Sequence, residues 1–406
     1  MTATIQHAVL PNGLEVVAEA DPSAHTAAVG FFVRAGARDE PPELMGVSHF
    51  LEHMMFKGTA RRSAEDVNRE FDELGADYNA YTSHEATVYY AHVLPEMLPR
   101  AIDLLGDMLR PSLREEDFEV EKKVILEEIS MYEDRPEWRL QDALLEAYFG
   151  DHPLGHRVLG TADTIGPLTA DQMRGYFAGR YRPGAITVSL GGRFDFDQAL
   201  SQIETLCGAW DAGPAERTHG SVAPRQNRLD LKDDKLNRCY LSMLMPAPSA
   251  QDEQRFAAMV LGDLLGDDDG SRLHWAMIDP GLAEEASIDF MSQDRTGAFL
   301  AFAACEPSRA DEVERTLAQV LAQAGEDLSE DELRRTVNKL ATRITLSGER
   351  PAGRMHDLGA GWTYRRSHLS LQERLDKLQA VTPESIRALL SAYPLVPVTV
   401  ARLGPN

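Results

Sequence analysis

Residues 112–136 read SLREEDFEVEKKVILEEISMYEDRP, and residues 328–351 read LSEDELRRTVNKLATRITLSGERP. With the closing Arg-Pro pairs superposed, Pro136 falls on Pro351, Phe118 on Leu333, Ile129 on Ile344 and Met131 on Leu346, an offset of 215. A second pair follows in order: LTADQMRGYFAGRYRPGAITVSLGG (168–192) resembles VTPESIRALLSAYPLVPVTVARLG (381–404) at an offset near 213. Both segments show a Thr-led helix start, an amphipathic helix, a Pro-containing turn and a strand. Any two helix–turn–strand units look somewhat alike, but two matches in order at nearly equal offsets favour a duplicated chain.

Working outward, each half opens on strands. LEVVAEA and TAAVGFFVRAG lead the first, LDLKDD and RCYLSMLMPAP the second. Helices follow and a strand closes each half, which predicts an α+β class: two homologous α/β-sandwich halves, each a mainly antiparallel sheet packed against helices. The polar, Gly- and Pro-containing stretch WDAGPAERTHGSVAPRQN (210–227) marks the joint. The expected domains are therefore 1–209, a linker at 210–227, and 228–406. A chain of 406 residues, 43% hydrophobic, can bury a core in each half.

The net charge of −24 opposes binding to nucleic acid or an anionic membrane. No apolar run reaches the eighteen or so residues of a membrane span, and the start MTATIQHAVLPNG lacks the pattern of a signal peptide. Cys207, Cys239 and Cys305 are scattered, with no CxxC pair. They read as small buried residues in a reducing, cytoplasmic setting, so any metal ligands must be nitrogen and oxygen.

The first half contains HFLEHMMFKGT at 49–59, in a chain with twelve histidines. On a helix, His49, Glu52 and His53 fall within an arc of about 100°, while Val47, Phe50, Leu51, Met54 and Met55 take the opposite side. The apolar stripe can bury itself without the histidines, and an i, i+4 pair of imidazoles suits a shared metal. H-x-x-E-H matches the inverted form of the zinc-peptidase motif. A third ligand should be an acid on a buried helical face. In EVEKKVILEEISMYED, Glu121 and Glu128 lie about 20° apart around the helix, on a face expected to carry Val124, Ile125, Met131 and Tyr132. Glu127 is the alternative ligand, and a buried salt bridge the plain alternative for Glu121. Glu128 aligns with Arg343, Glu121 with Thr336, and HFLEH with the histidine-free VLGDLLG (260–266). Acids and histidines vanish together from the second half, as the parts of one site would.

At these residues the chain resembles the pitrilysin/insulinase family of zinc peptidases, in the short form similar to mitochondrial processing peptidase subunits. The likeness runs through PNGLEVV, GVSHFLEHMMFKGT, YNAYTSHEATVYY (78–90), the EE-I helix with DRP, HPLGHRVLGT (152–161) and RYRPGAITVSLGG. It implies a zinc-dependent endopeptidase hydrolysing unfolded or short polypeptides in a chamber between two halves. His49, His53 and Glu128 would hold Zn2+, since the family's spacing selects Glu128 over Glu127. Glu52 would be the general base, Glu121 a support for the ligands, and Asn79 and Ala80 part of an edge strand that binds the peptide. His84 reads as an exposed loop histidine. Active relatives carry an arginine and, seven residues later, a tyrosine where this chain has Met277 and Glu284; Arg272 lies five residues too early. The resemblance therefore also admits a catalytically weak, zinc-retaining subunit that binds peptides or pairs with a homologous partner supplying both groups. A homodimer or heterodimer is expected in either case.

Overall fold

The computed structural model describes residues 4–213, 216–267 and 269–406. Its strands are β1 (Thr4–Val9), β2 (Glu15–Ala20), β3 (Ala27–Val33), β4 (Asp77–Thr82), β5 (Thr87–Val93), β6 (Ile186–Gly192), β7 (Asn227–Lys232), β8 (Cys239–Pro246), β9 (Glu285–Gln293), β10 (Thr296–Cys305) and β11 (Thr399–Gly404). The helices before the joint are α1 (Val47–Met55), α2 (Ala64–Leu74), α3 (Leu98–Met108), α4 (Glu115–Glu133), α5 (Pro136–Phe149), α6 (Ala162–Ile165), α7 (Ala170–Arg180) and α8 (Phe196–Cys207). Beyond it come α9 (Arg255–Gly266), α10 (Ala310–Ala322), α11 (Glu330–Gly348), α12 (Pro351–Arg365), α13 (Leu371–Gln379) and α14 (Pro383–Ala392). Among the described residues no helix is long and apolar enough to cross a membrane.

The duplication is visible in topology. The first sheet runs β1-β2-β6-β3-β5-β4 and the second β7-β11-β8-β10-β9. In each, the closing strand pairs parallel with an early strand (β6 with β2, the second of its sheet, and β11 with β7, the first), and every other neighbouring pair is antiparallel. Helices α4 and α11 are each 19 residues long and start 215 positions apart. Thr169 and Thr382 both cap the following helix, their hydroxyls accepting from the N–H of Gln172 and Ser385. The expected α+β class and paired sheets are what the chain adopts.

Contacts gather the chain into two compact units, neither contiguous in sequence. One comprises the residues up to Ser130, His156–Thr218 and Leu346–His368; the other Met131–Gly155, His219–Thr345 and Leu369–Asn406. In the first unit, α1, α2, α3, α4, α7 and α8 bury the main core against one sheet face. The opposite face carries Ala28, Phe32, Val88 and, from α12, Met355. Strands β3 and β6, covered on both faces, are buried at every residue; β3 reads as an unbroken apolar run, while β6 also buries Thr187 and Ser189. Gly359 of α12 lies so near β3 that a Cβ there would sit 2.2 Å from the Phe32 ring. In the second unit α5 takes the place that α12 has in the first, packing Leu140, Leu144 and Tyr148 with Leu244, Ala401 and Leu403 of the second sheet.

One expectation about α4 needs correction. Its buried stripe is Phe118, Glu121, Ile125 and Ile129, whereas Val124 and Met131 are 43% and 59% exposed. At 100° per residue the centre of that stripe lies roughly 45° from Glu121, on the side away from Val124 and Met131. Glu121 and Glu128 therefore stand on the border of the buried face.

Candidate metal centre

Helix α1 begins at Gly46, whose φ of 94° a side chain would resist. Val47, Phe50, Leu51 and Met54 are buried in the main core, which turns Glu52 and His53 towards α4 and β4. The helix start is held from outside itself. Glu40 Oε2 accepts the Gly46 N–H and Oε1 the Ser48 N–H, both at 2.7 Å, a carboxylate cap at the positive end of the helix dipole. The Ser48 hydroxyl meets the Tyr176 hydroxyl at 2.7 Å, joining α1 to α7.

The His49 and His53 rings lie one turn apart, their centroids separated by 4.8 Å. Glu128 Oε2 stands 3.8 Å from His49 Nε2 and 3.6 Å from His53 Nε2. These separations are too long for hydrogen bonds. They approach the edge, about 3.3 Å, of a tetrahedron with bonds of about 2.0–2.1 Å, the geometry zinc prefers with nitrogen and carboxylate donors. Among the described residues His49, His53 and Glu128 form the group that could hold a metal ion. Glu127 is exposed and Glu121 buried.

Glu121 Oε1 lies 2.9 Å from His53 Nδ1 and Oε2 lies 2.5 Å from Lys57 Nζ. A proton on Nδ1 donated to this carboxylate leaves the Nε2 lone pair facing Glu128. Glu52 is held separately, the Thr82 hydroxyl donating to its Oε2 at 2.6 Å. The electrostatics express a shortage of positive charge. Burial pushes Glu52 above the ordinary carboxyl range, against the Thr82 bond and His53. Burial also raises Glu128, opposed by His53 and reinforced by Glu121. At His53 burial opposes the charged ring, but the Glu121 bond and the charges of Glu128, Glu121 and Glu52 prevail and raise it. His49, pushed down to about 3 by burial and by His53, stays neutral and able to coordinate. Three carboxylates face one lysine here, and a divalent cation would balance the remaining two charges.

Among the described residues, strand β4 is the edge of its sheet and pairs with β5 alone. Tyr78, Ala80 and Thr82 alternate towards the helical face, while Asn79 and Tyr81 point the other way and are exposed. The Ala80 N–H donates to Asn79 Oδ1 at 2.8 Å. His84 is half-buried beside His156, with burial pushing it down to about 4; the expectation of an exposed loop histidine is corrected, because the turn after β4 is folded inward by Arg38, whose N–H donates to the His84 carbonyl at 2.7 Å.

Reading the sequence missed Glu40, Lys57 and Thr82. Thr82 lies two residues beyond Ala80 and so shares its face, and Lys57 lies four beyond His53, so periodicity offered a signal for both. Glu40 offered none beyond being an acid ahead of the helix. In the second unit Met277 is fully buried, Glu284 pairs with Arg238, and Arg272 makes a bidentate pair with Glu332 at 2.8 and 2.9 Å.

Two family models match the chain: insulinase (peptidase family M16) over residues 15–162, and peptidase M16 inactive domain over residues 167–340. Among similar proteins, an uncharacterized zinc protease of Streptomyces coelicolor is 35% identical over 95% of this chain and 86% of its own length. The uncharacterized zinc protease YmxG of Bacillus subtilis is 31% identical over 98% of this chain and 97% of its own length. In fold, a protease from Helicobacter pylori superposes with a TM-score of 0.93 at 18% identity, covering 100% of both chains. The expected zinc cofactor agrees with the relatives' names and with the donor set described here. By sequence, over nearly its whole length, the chain belongs to the insulinase family of peptidases, family M16.

Proposed function

We propose that the protein is a zinc-dependent endopeptidase acting on unfolded or short polypeptides. The observation that carries this reading is the meeting of His49, His53 and Glu128 at near-tetrahedral separations beside Glu52 and a free strand edge. His49, His53 and Glu128 would hold the zinc, which when bound supplies a Lewis acid able to acidify water. Glu52, anchored through Oε2, has Oε1 available to take a proton from the attacking water and return it to the leaving amine. Glu121 holds the His53 tautomer, and Lys57 holds Glu121. Asn79 and Ala80 lie where an extended peptide would pair with β4, whose Thr82 fixes Glu52 on the same strand. In this reading residues 1–209 are the catalytic domain, joined through 210–227 to the homologous 228–406, which lacks the metal site. The enzyme would be cytoplasmic and dimeric.

A second reading rests on a specific observation. The positions expected to carry a substrate-contacting arginine and tyrosine hold a core methionine and a glutamate already paired with Arg238, and Arg272 is committed to Glu332. The chain would then be the zinc-bearing subunit of a pair, its homologous partner supplying the missing groups. Metal analysis of purified protein with a peptide library, assayed alone and with a homologous chain, separates the two. Stoichiometric zinc with cleavage by the protein alone supports the first reading, and cleavage only in the mixture supports the second. Substoichiometric zinc refutes both.

A further inference from the structure

Far along the sequence from the zinc ligands, Cys239 on β8 and Cys305 on β10 are direct partners in the antiparallel register of the second sheet. Both are free thiols and both are buried. Antiparallel partners hold their Cα atoms about 4.5–5.5 Å apart, within the roughly 4.4–6.8 Å that a disulfide spans. Cys239 also lines a cavity of about 360 Å3 with Asp230, Lys232, Arg402 and Asn406. Arg402, on β11, lines the same cavity as Cys239 and donates to Asp311 at 2.6 Å. The pair thus has a second thiol in register and, on the Cys239 side, a polar cavity lined by two cations, Lys232 and Arg402.

We propose that Cys239 and Cys305 are an oxidation site, Cys239 reacting with a hydroperoxide and Cys305 closing a cross-strand disulfide. In the first step the Cys239 thiolate attacks one peroxide oxygen. An S–O bond forms, the O–O bond breaks, hydroxide leaves and is protonated to water, and the sulfur is oxidised to a sulfenic acid. In the second, the Cys305 sulfur attacks the sulfenic sulfur; the S–S bond forms, the S–O bond breaks, and the hydroxyl leaves as water with the thiol proton. Two thiols and one hydrogen peroxide become one disulfide and two waters.

The order of attack follows from the surroundings. Cys239, and not Cys305, lines the cavity with Lys232 and Arg402, and the neighbouring thiol and these two positive charges favour a thiolate at Cys239 against its burial. Cys207 serves as an internal comparison, since burial pushes its thiol up to about 12 despite the nearby Arg110.

Treating the full-length protein with hydrogen peroxide, followed by alkylation and peptide mass mapping, tests the site. The expected product is a Cys239–Cys305 linked peptide lighter by two hydrogen atoms, with Cys207 still alkylated. Cys305→Ser should accumulate a sulfenic acid on Cys239 that a dione reagent captures, and Arg402→Met should slow oxidation of the otherwise intact chain about tenfold. If Cys239 and Cys305 remain as alkylatable as Cys207 in the wild-type chain, or if Cys207 oxidises as fast, the proposal is overturned whatever the variants do.

Discussion

Glu52 has one oxygen engaged by Thr82 and one left over, and that asymmetry makes the residue separable from the metal. Glu52→Gln keeps the Thr82 partner but accepts no proton, so zinc content should stay stoichiometric while kcat falls about 10²–10⁴-fold. Unchanged turnover would remove Glu52 from the chemistry. His53→Ala takes away a donor and should lose both zinc and cleavage, read by metal analysis beside the peptide assay. Glu121→Gln should weaken zinc by about 10–100-fold in a chelator competition, the usual cost of removing a ligand's orienting partner; an unaltered affinity would reduce Glu121 to a salt bridge with Lys57. At this scale the sequence was most legible where one helix carries several groups. His49, Glu52 and His53 share a short segment, so their common face follows from spacing alone. Spacing puts Lys57 and Thr82 on the faces of His53 and Ala80, but their partners Glu121 and Glu52 lie on other elements, and no local period names the partner.

Helix α1 illustrates how an element can depend on a residue outside it. Burial pushes the Glu40 carboxyl up to about 8, against the Ser48 and Gly46 N–H bonds that favour its charge. A carboxyl raised in the folded state contributes stability that is whole below its unfolded value near 4.5 and fades as pH rises towards 8. Glu40→Gln cannot ionise, so between about pH 5 and 8 the melting temperature of the wild type should drop relative to that of the variant. Parallel pH curves would show that Glu40 is not the titrating group. The variant should also be less stable by about 1–3 kcal/mol at acidic pH, because its NH2 would face a backbone donor. The corresponding elements of the second unit carry an ion-pair cluster in place of the proposed ligand set. Arg343 on α11, aligned with Glu128, lies 3.4 Å from Asp263 on α9 and 2.9 Å from Asp267. Thr336, aligned with Glu121, donates its hydroxyl back to its own helix, to the Glu332 carbonyl. The exposed Val124 and Met131 on α4 mark the limit of period reading: an apolar residue a turn away from an acid shows amphipathicity, but not which side of the acid the core lies on.

For the whole molecule, the repeat at an offset of 215 announced two like halves, and the paired sheet orders agree with it. The exchange of α5 and α12 between the compact units was not legible, because two helices related by duplication carry interchangeable patterns and nothing in them states which sheet each will cover. Close fit at the exchanged helix gives a direct test. Gly359→Ala should cost about 1–3 kcal/mol in urea unfolding through overpacking on Phe32, and Phe32→Leu should recover part of that loss. Independent, additive effects would deny the contact. The residues 1–209 made alone lack α12, leaving Phe32 and Val88 uncovered, and should aggregate unless 228–406 is supplied in trans; a soluble, monomeric fragment would contradict this. The same arrangement sets a timetable for synthesis. A ribosome has finished the proposed zinc ligands once Glu128 is made, yet the last helix of their unit, ending at Arg365, emerges only after β7 to β10 and α9 to α11 have been made. Through most of that interval the nascent sheet shows a greasy surface, a natural target for holding chaperones.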